Sequence, residues 1–155
     1  MHIDIHSEEA MKKFGQAIGQ VLSGGETIEL VGDVGAGKTT FTKGLALGMN
    51  ILEPIQSPTF TISRVYETPQ GLKLAHYDFY RLSEPGVMAD ELMEVVHDTN
   101  TVTVIEWAGI VEGVLPKQRT HIEFISPTES SRRCTIQTDN PVILALLKEQ
   151  HDSTH

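Results

Sequence analysis

Residues 32–41, "GDVGAGKTTF", have the spacing G-x-x-x-x-G-K-[ST] of a phosphate-binding loop. Glycines in such a loop let the backbone turn with unusual dihedral angles and approach a phosphate without a Cβ in the way. The N–H groups from Asp33 to Thr39 would then point inward at the start of a helix, where the helix dipole favours anions. The sequence therefore predicts a site for the phosphates of a nucleotide.

Two side chains of this loop carry further chemistry. Lys38 is expected to reach the β- and γ-phosphates, and the hydroxyl of Thr39 is expected to bind Mg²⁺. The sequence motifs by which GTP-binding switches hold Mg²⁺ and guanine do not occur in the chain, so ATP is the expected nucleotide. The residues predicted to bind ATP through this loop are Gly32, Asp33, Val34, Gly35, Ala36, Gly37, Lys38, Thr39 and Thr40.

Acidic residues that could complete a magnesium–nucleotide site follow two other apolar segments. A site of this kind usually takes a second acidic group from the end of a neighbouring buried strand. Glu106 follows the apolar run "VTVI" directly, so it is predicted as a metal ligand together with Thr39 and as a catalytic residue. Asp78 is the second catalytic candidate, because it lies among polar and aromatic residues rather than in a run of charges.

Hydrophobic periodicity gives the elements that must position these residues. The segments around the loop read as a strand before it and a helix after it, and two hairpins and further helices follow. Ser7 is the predicted cap of the first helix. By number, the predicted elements are a helix over 8–22, a strand over 27–32, a helix through 49, a hairpin of 57–67 and 72–80, a helix over 84–97, a strand over 101–107, a hairpin of 119–125 and 132–138, and a helix from 140.

The fold class expected from this order is α/β. Because a strand–loop–helix unit is combined with antiparallel hairpins, we expect a P-loop NTPase-like three-layer sandwich with a mixed parallel and antiparallel sheet. A chain of 155 residues fits one domain, here 1–150, followed by a tail over 151–155 that is expected to be disordered. Alternation along the second arm of the first hairpin puts His76, Asp78 and Tyr80 on one face.

Composition limits where the protein works and what it binds. The N-terminus has no apolar signal segment and no apolar run is long enough to span a membrane, so no membrane association is expected. A single cysteine, Cys134, excludes an internal disulfide and fits a reducing compartment, which makes the cytoplasm the expected location. The net charge is −9, with 12 basic and 21 acidic residues, so tight binding of tRNA or DNA by this chain alone is not expected.

Four motifs taken together resemble one protein family. They are "GDVGAGKTT", "SPTFTI", "HYDFYRL" and "VIEWA", and their order and intervals resemble the bacterial TsaE (YjeE) family from about Ser7 to Arg132. The resemblance implies a cytoplasmic ATPase of tRNA threonylcarbamoyladenosine biosynthesis that works with a catalytic subunit and a related scaffold subunit. It also implies that tRNA is reached only through that complex, and that the ATP cycle resets the complex rather than performing the transfer.

The resemblance also assigns residues. It implies a catalytic role for Thr59, in a switch-like loop near the γ-phosphate, and makes Asp78 a position needed for activity. It adds three residues to the ATP-binding set: Tyr80, Trp107 and Arg132. The chain departs from the family pattern at 108–109, after "IEW", and over 88–100. Those departures concern the contacts with partners rather than the nucleotide site.

Two other functions remain open at this point. A small-molecule kinase could use the same phosphate-binding loop, but it would need an acceptor pocket and an arginine-rich lid, whereas Arg64 and Arg81 are isolated. A switch that binds ATP without hydrolysing it is the third reading. The presence of both Asp78 and Glu106 favours hydrolysis, because binding alone does not need two carboxylates.

Overall fold

The fold is described from a computed structural model of the chain. The described residues are 1–32, 37–56, 62–80 and 82–153, with the backbone alone for 151–153. Five residues of the predicted site, Asp33, Val34, Gly35, Ala36 and Thr59, lie outside them.

Strands and helices alternate along much of the chain. The strands are β1 (His2–Ile5), β2 (Thr27–Val31), β3 (Ser63–Glu67), β4 (Lys73–Asp78), β5 (Thr101–Glu106), β6 (Thr120–Ile125) and β7 (Arg132–Gln137). The helices are α1 (Glu8–Val21), α2 (Lys38–Gly48), α3 (Gly86–Val96), a 3₁₀ helix (Ala108–Val114) and α4 (Pro141–Ser153).

One seven-stranded sheet has the order β1-β7-β6-β2-β5-β4-β3. Its centre is parallel, since β2 pairs in parallel with both β5 and β6, and β5 pairs in parallel with β4. Both margins are antiparallel, through the pairs β3–β4, β6–β7 and β1–β7. The predicted mixed sheet and both predicted hairpins are therefore confirmed.

Helix α1 fixes the position of α2 and hence of Lys38. The hydroxyl of Ser7 accepts a hydrogen bond from the N–H of Ala10 at 3.0 Å and caps α1 as the sequence predicts. The glycines of α1 lie against the backbone of α2: a Cβ on Gly15 would come within 2.2 Å of the carbonyl oxygen of Phe41. The backbones of the two helices are therefore in direct contact, and side chains larger than glycine at these positions of α1 would prevent it.

The sheet separates two apolar cores. On one face α1, α2 and α4 pack against strand residues such as Leu30 and Val104. On the other face α3 and the 3₁₀ helix pack against residues such as Tyr77 and Ile105. Because helices cover both faces, the predicted three-layer sandwich is confirmed. Within the described residues, no helix combines the length and apolar character that crossing a membrane requires.

Three features differ from the sequence prediction. Strand β1, "HIDI", was not predicted, because four alternating residues have little intrinsic strand signal and the strand depends on pairing with β7. The 3₁₀ helix after β5 was also not predicted. Helix α4 includes 151–153, part of the segment for which a disordered tail is predicted.

Candidate functional site

The predicted acidic residues meet at the carboxyl edge of the parallel strands. The register pairs Asp78 of β4 with Glu106 of β5, and both are the last residues of their strands. Alternation turns both side chains toward the face covered by α1 and α2. Helix α2 begins with Lys38 at the same edge, after β2 has ended. This is the edge at which open α/β sheets bind ligands.

Glu106 is the centre of the polar contacts in this site. Its side chain is buried, with 5% of the residue exposed. Oε1 lies 3.5 Å from Nζ of Lys38, and Oε2 lies 2.7 Å from Nε2 of His76. Burial by itself raises the pKa of this carboxyl, but the hydrogen bond with His76 and the charge of Lys38 outweigh it, so the pKa lies below its usual value. Glu106 is therefore an ionised acceptor.

Lys38 is buried between an acid and an aromatic ring. Besides its contact with Glu106, Nζ lies 5.0 Å from the ring centroid of Trp107, within the range of a cation–π interaction. Gly37 precedes it with φ +109°, a conformation that L side chains rarely adopt. The ammonium group is thus held at the start of a helix, where an anion would also be favoured.

An aromatic pair borders the site. The rings of Tyr80 and Trp107 have centroids 4.9 Å apart, and both side chains are partly exposed. Trp107 has φ 57° and ψ 51°, which is uncommon for a bulky residue and costs on the order of 1–3 kcal/mol. This conformation ends β5 and begins the 3₁₀ helix. The N–H of Tyr80 donates to Oδ1 of Asp78 at 3.0 Å, which fixes the turn after β4.

Most of the predicted site residues line a cleft of about 510 Å³. Its predicted members are Gly37, Lys38, Thr39, Thr40, Asp78, Glu106, Trp107 and Arg132. Gly32 lines an adjoining cavity of about 330 Å³, which shares Lys38 and Trp107 with the cleft. Tyr80 lines neither of these cavities; it contacts the site through its ring, which packs on Trp107, and through its N–H, which donates to Asp78.

Sequence reasoning missed several residues of the cleft. The added members are Ser7, Glu8, Met11, Glu129 and Ser130. They belong to the start of α1 and to the connection between β6 and β7, and no motif joins those segments to the loop. His76 was also missed as a site residue, although strand alternation already placed it on the same face as Asp78.

The donor set suits a hard cation beside phosphates. Thr39, Asp78 and Glu106 all offer oxygen atoms in the cleft, and oxygen is what Mg²⁺ prefers. In the part of the chain that the structure describes, no group of three or more His, Cys, Asp or Glu side chains could hold a metal by itself. Magnesium bound with a nucleotide needs only one or two carboxylates, because phosphate oxygens and water supply the rest.

Comparison with known proteins decides the family. The family model described as "Threonylcarbamoyl adenosine biosynthesis protein TsaE" matches residues 5–134. The chain belongs to the TsaE family. The resemblance carried by the four sequence motifs is therefore confirmed.

TsaE relatives match over most of their length. The protein named tRNA threonylcarbamoyladenosine biosynthesis protein TsaE from Treponema pallidum is 38% identical over 131 residues, which is 84% of this chain and 95% of that protein. The protein of the same name from Nostoc is 35% identical over 150 residues, covering 94% of this chain and 90% of its own. A crystal structure of Bacillus subtilis YdiB is similar with a TM-score of 0.78 and 29% identity, covering 100% of this chain and 96% of that one.

Proposed function

We propose that this TsaE-family protein binds and hydrolyses Mg²⁺-ATP as a subunit required for threonylcarbamoyl modification of tRNA. The observation that carries the proposal is the contact between Lys38 and Glu106. A lysine at the start of the helix after the phosphate-binding loop lies 3.5 Å from a carboxylate at the end of a neighbouring strand. The names of the relatives, each a tRNA threonylcarbamoyladenosine biosynthesis protein, support the biological role.

The chemistry proposed is attack of water on the γ-phosphorus of ATP, which breaks the bond to the bridging oxygen and gives ADP and phosphate. Lys38 neutralises phosphate charge, and Thr39 and Glu106 would hold Mg²⁺. The ion, when bound, offsets the negative charge on the phosphate oxygens. Asp78 lies in the cleft outside the loop, where its carboxylate can orient a water or accept its proton.

Nucleoside contacts are proposed for the rest of the predicted set. Arg132 lines the cleft at the start of β7 and is proposed to approach the base. Trp107 lines the same cleft, and its ring packs against that of Tyr80. Thr59 is proposed to belong to a loop that responds to the γ-phosphate.

We propose that partner subunits both bind the tRNA and raise the rate of ATP hydrolysis. A net charge of −9 disfavours RNA binding by this chain alone, so tRNA would be reached through a catalytic and a scaffold subunit in the cytoplasm. A transition-state arginine supplied by a partner is worth about 10³–10⁵ in rate. We therefore expect slow hydrolysis by the isolated chain and faster hydrolysis in the assembly.

Replacement of Lys38 tests the nucleotide site. Lys38→Ala removes a charge-assisted contact worth about 1.5–3 kcal/mol, so the affinity for Mg²⁺-ATP should fall at least about tenfold in calorimetry. Lys43→Ala is the matched control, because Lys43 is an exposed lysine of the same helix. Equal affinity in Lys38→Ala and the wild type would contradict the proposed site.

Reconstitution tests the role. ATP loss and adenosine modification should both rise when the two partner subunits and tRNA are added to the wild type, and tRNA alone should have no effect. Asp78→Ala should lose the stimulated rate and keep most of its ATP affinity, because Asp78 lies outside the loop. Rapid transfer of phosphate to a small acceptor by the isolated chain would instead favour a kinase.

A further inference from the structure

His76 makes a contact that the proposed function does not use. It lies in β4, is 2% exposed, and its Nε2 is 2.7 Å from Oε2 of Glu106. A carboxylate can only accept, so Nε2 donates the hydrogen bond. Bonds of this kind to an ionised acceptor are short and roughly twice as strong as neutral ones.

The other ring nitrogen has no such role. Nδ1 of His76 is buried and has no hydrogen-bond partner among the described residues. A histidine that served only to satisfy buried polar groups would be expected to use both nitrogens, because an unpaired buried polar atom is destabilising. Among the residues that the structure describes, the contact with Glu106 is therefore the polar interaction that accounts for this buried ring.

The contact divides the two oxygens of Glu106 between different neighbours. Oε2 is bound by His76, on the interior side, while Oε1 is directed to Lys38, which lines the cleft. A glutamate side chain has several rotatable bonds, so without His76 the carboxylate could turn both oxygens toward Lys38. The histidine thus sets which oxygen is presented to the cleft.

We propose that His76 is a positioning residue for Mg²⁺ binding: it holds Oε2 of Glu106 so that Oε1 remains available to the cation that accompanies ATP. This inference rests on the proposed function. Groups that hydrogen-bond a metal-binding carboxylate typically change metal affinity or activity 10–100-fold when they are replaced.

The test compares two amides at the same position. His76→Gln keeps an N–H near the position of Nε2, whereas the shorter side chain of His76→Asn cannot reach Glu106. We expect the Mg²⁺ concentration that half-saturates ATP binding to rise about 10–100-fold in His76→Asn, with most of the loss restored in His76→Gln. Calorimetry of ATP binding across a Mg²⁺ series and the electron paramagnetic resonance of Mn²⁺ bound with ATP both measure this without relying on turnover.

The outcomes separate this inference from the proposed function. Equal cation dependence in the wild type and the two variants, or equal losses in the two variants, would overturn the role of His76. If both variants lose stability to urea while keeping the cation dependence, the role is only structural and the inference is wrong. Absence of Mg²⁺-dependent ATP binding by the wild type would instead overturn the proposed function.

A measurement on the unmodified protein covers the case in which the variants do not fold. Nitrogen NMR of the His76 ring should show a hydrogen-bonded Nε2–H whose resonance shifts when Mg²⁺ is added to the ATP complex. A resonance that shifts with ATP alone and not with Mg²⁺ would overturn the inference.

Discussion

Two buried glutamates in adjacent parallel strands have opposite surroundings. Glu29, in the middle of β2, is 8% exposed and Glu106, at the end of β5, is 5% exposed. They point to opposite faces of the sheet, since Leu30 and Val104 mark the face shared by Glu106. Glu29 therefore lies away from the α1–α2 layer, while Glu106 lies against it.

Their cationic partners differ more than their burial. Nε of Arg119 donates to Glu29 at 2.8 Å, and the same guanidinium donates to Glu112 and, at 2.9 Å, to the carbonyl of Pro116. An arginine side chain held by three acceptors is fixed in place. The ion pair of Glu29 with Arg119 therefore serves to stabilise the fold. Glu106 instead has a lysine at 3.5 Å, whose flexible stem can move to another anion.

This difference teaches how a buried acid can be kept available for a ligand. A carboxylate paired with a rigid arginine is fixed in that pair, whereas one held by a histidine on one oxygen and a movable lysine on the other can exchange the lysine for a metal ion. The comparison predicts that replacing Glu106 lowers the rate of ATP hydrolysis, whereas breaking the ion pair of Glu29 lowers the stability of the fold.

The largest expected effect is on hydrolysis. Glu106→Gln removes the charge that would hold Mg²⁺, so the partner-stimulated rate of ATP hydrolysis should fall by about 100-fold or more, the order found when one group that stabilises transition-state charge is lost. Phosphate release in the reconstituted assembly measures it.

Glu29→Gln is the matched control for that experiment. It makes the same chemical change in the neighbouring strand, and the rate should stay close to that of the wild type. Similar losses in the two variants would remove the distinction between the acids.

The next effect is on stability. Arg119→Met keeps an aliphatic stem but leaves Glu29 buried without its partner, so the free energy of unfolding in urea should fall by about 2–3 kcal/mol. This is below the 3–5 kcal/mol of a fully buried pair because the Arg119 side chain is 17% exposed. ATP affinity should not change, because Arg119 lies outside the cleft.

Glu112 provides the control for this second prediction. Its side chain is 57% exposed although it also pairs with Arg119, so Glu112→Gln should cost less than about 1 kcal/mol. Equal losses for Arg119→Met and Glu112→Gln would mean that the burial of Glu29 does not determine the cost.

The smallest effect concerns acid pH. Since the pKa of Glu106 in the folded protein lies below its usual value of 4.5, the ionised carboxylate stabilises the fold above that pH. The contribution is lost as the pH falls through the lowered pKa. The difference in unfolding free energy between the wild type and Glu106→Gln, measured without nucleotide, should therefore shrink as the pH falls below about 4.5. A difference that grows on acidification would contradict the contacts of Glu106.

Several parts of the fold could be predicted from the sequence because their signals are local. The cap at Ser7, the strand before the phosphate-binding loop and the two hairpins depend on residues near one another in the chain. Strand β1 could not be predicted, because it forms only by pairing with β7, whose residues lie far along the chain. The same holds for the cleft residues Glu8 and Glu129, which come from segments without a motif.

The sequence by itself determined the family, through four motifs in a fixed order, and it predicted the phosphate-binding loop and the two acidic candidates from residues near one another in the chain. Only the tertiary structure decided which groups touch. His76 and Glu106 are 30 residues apart, and their 2.7 Å contact exists because β4 and β5 run parallel in one register. The tertiary structure also shows that Glu29 and Glu106 are both buried and have different cationic partners. Their difference follows from which face of the sheet each side chain enters, and that depends on packing across the whole domain.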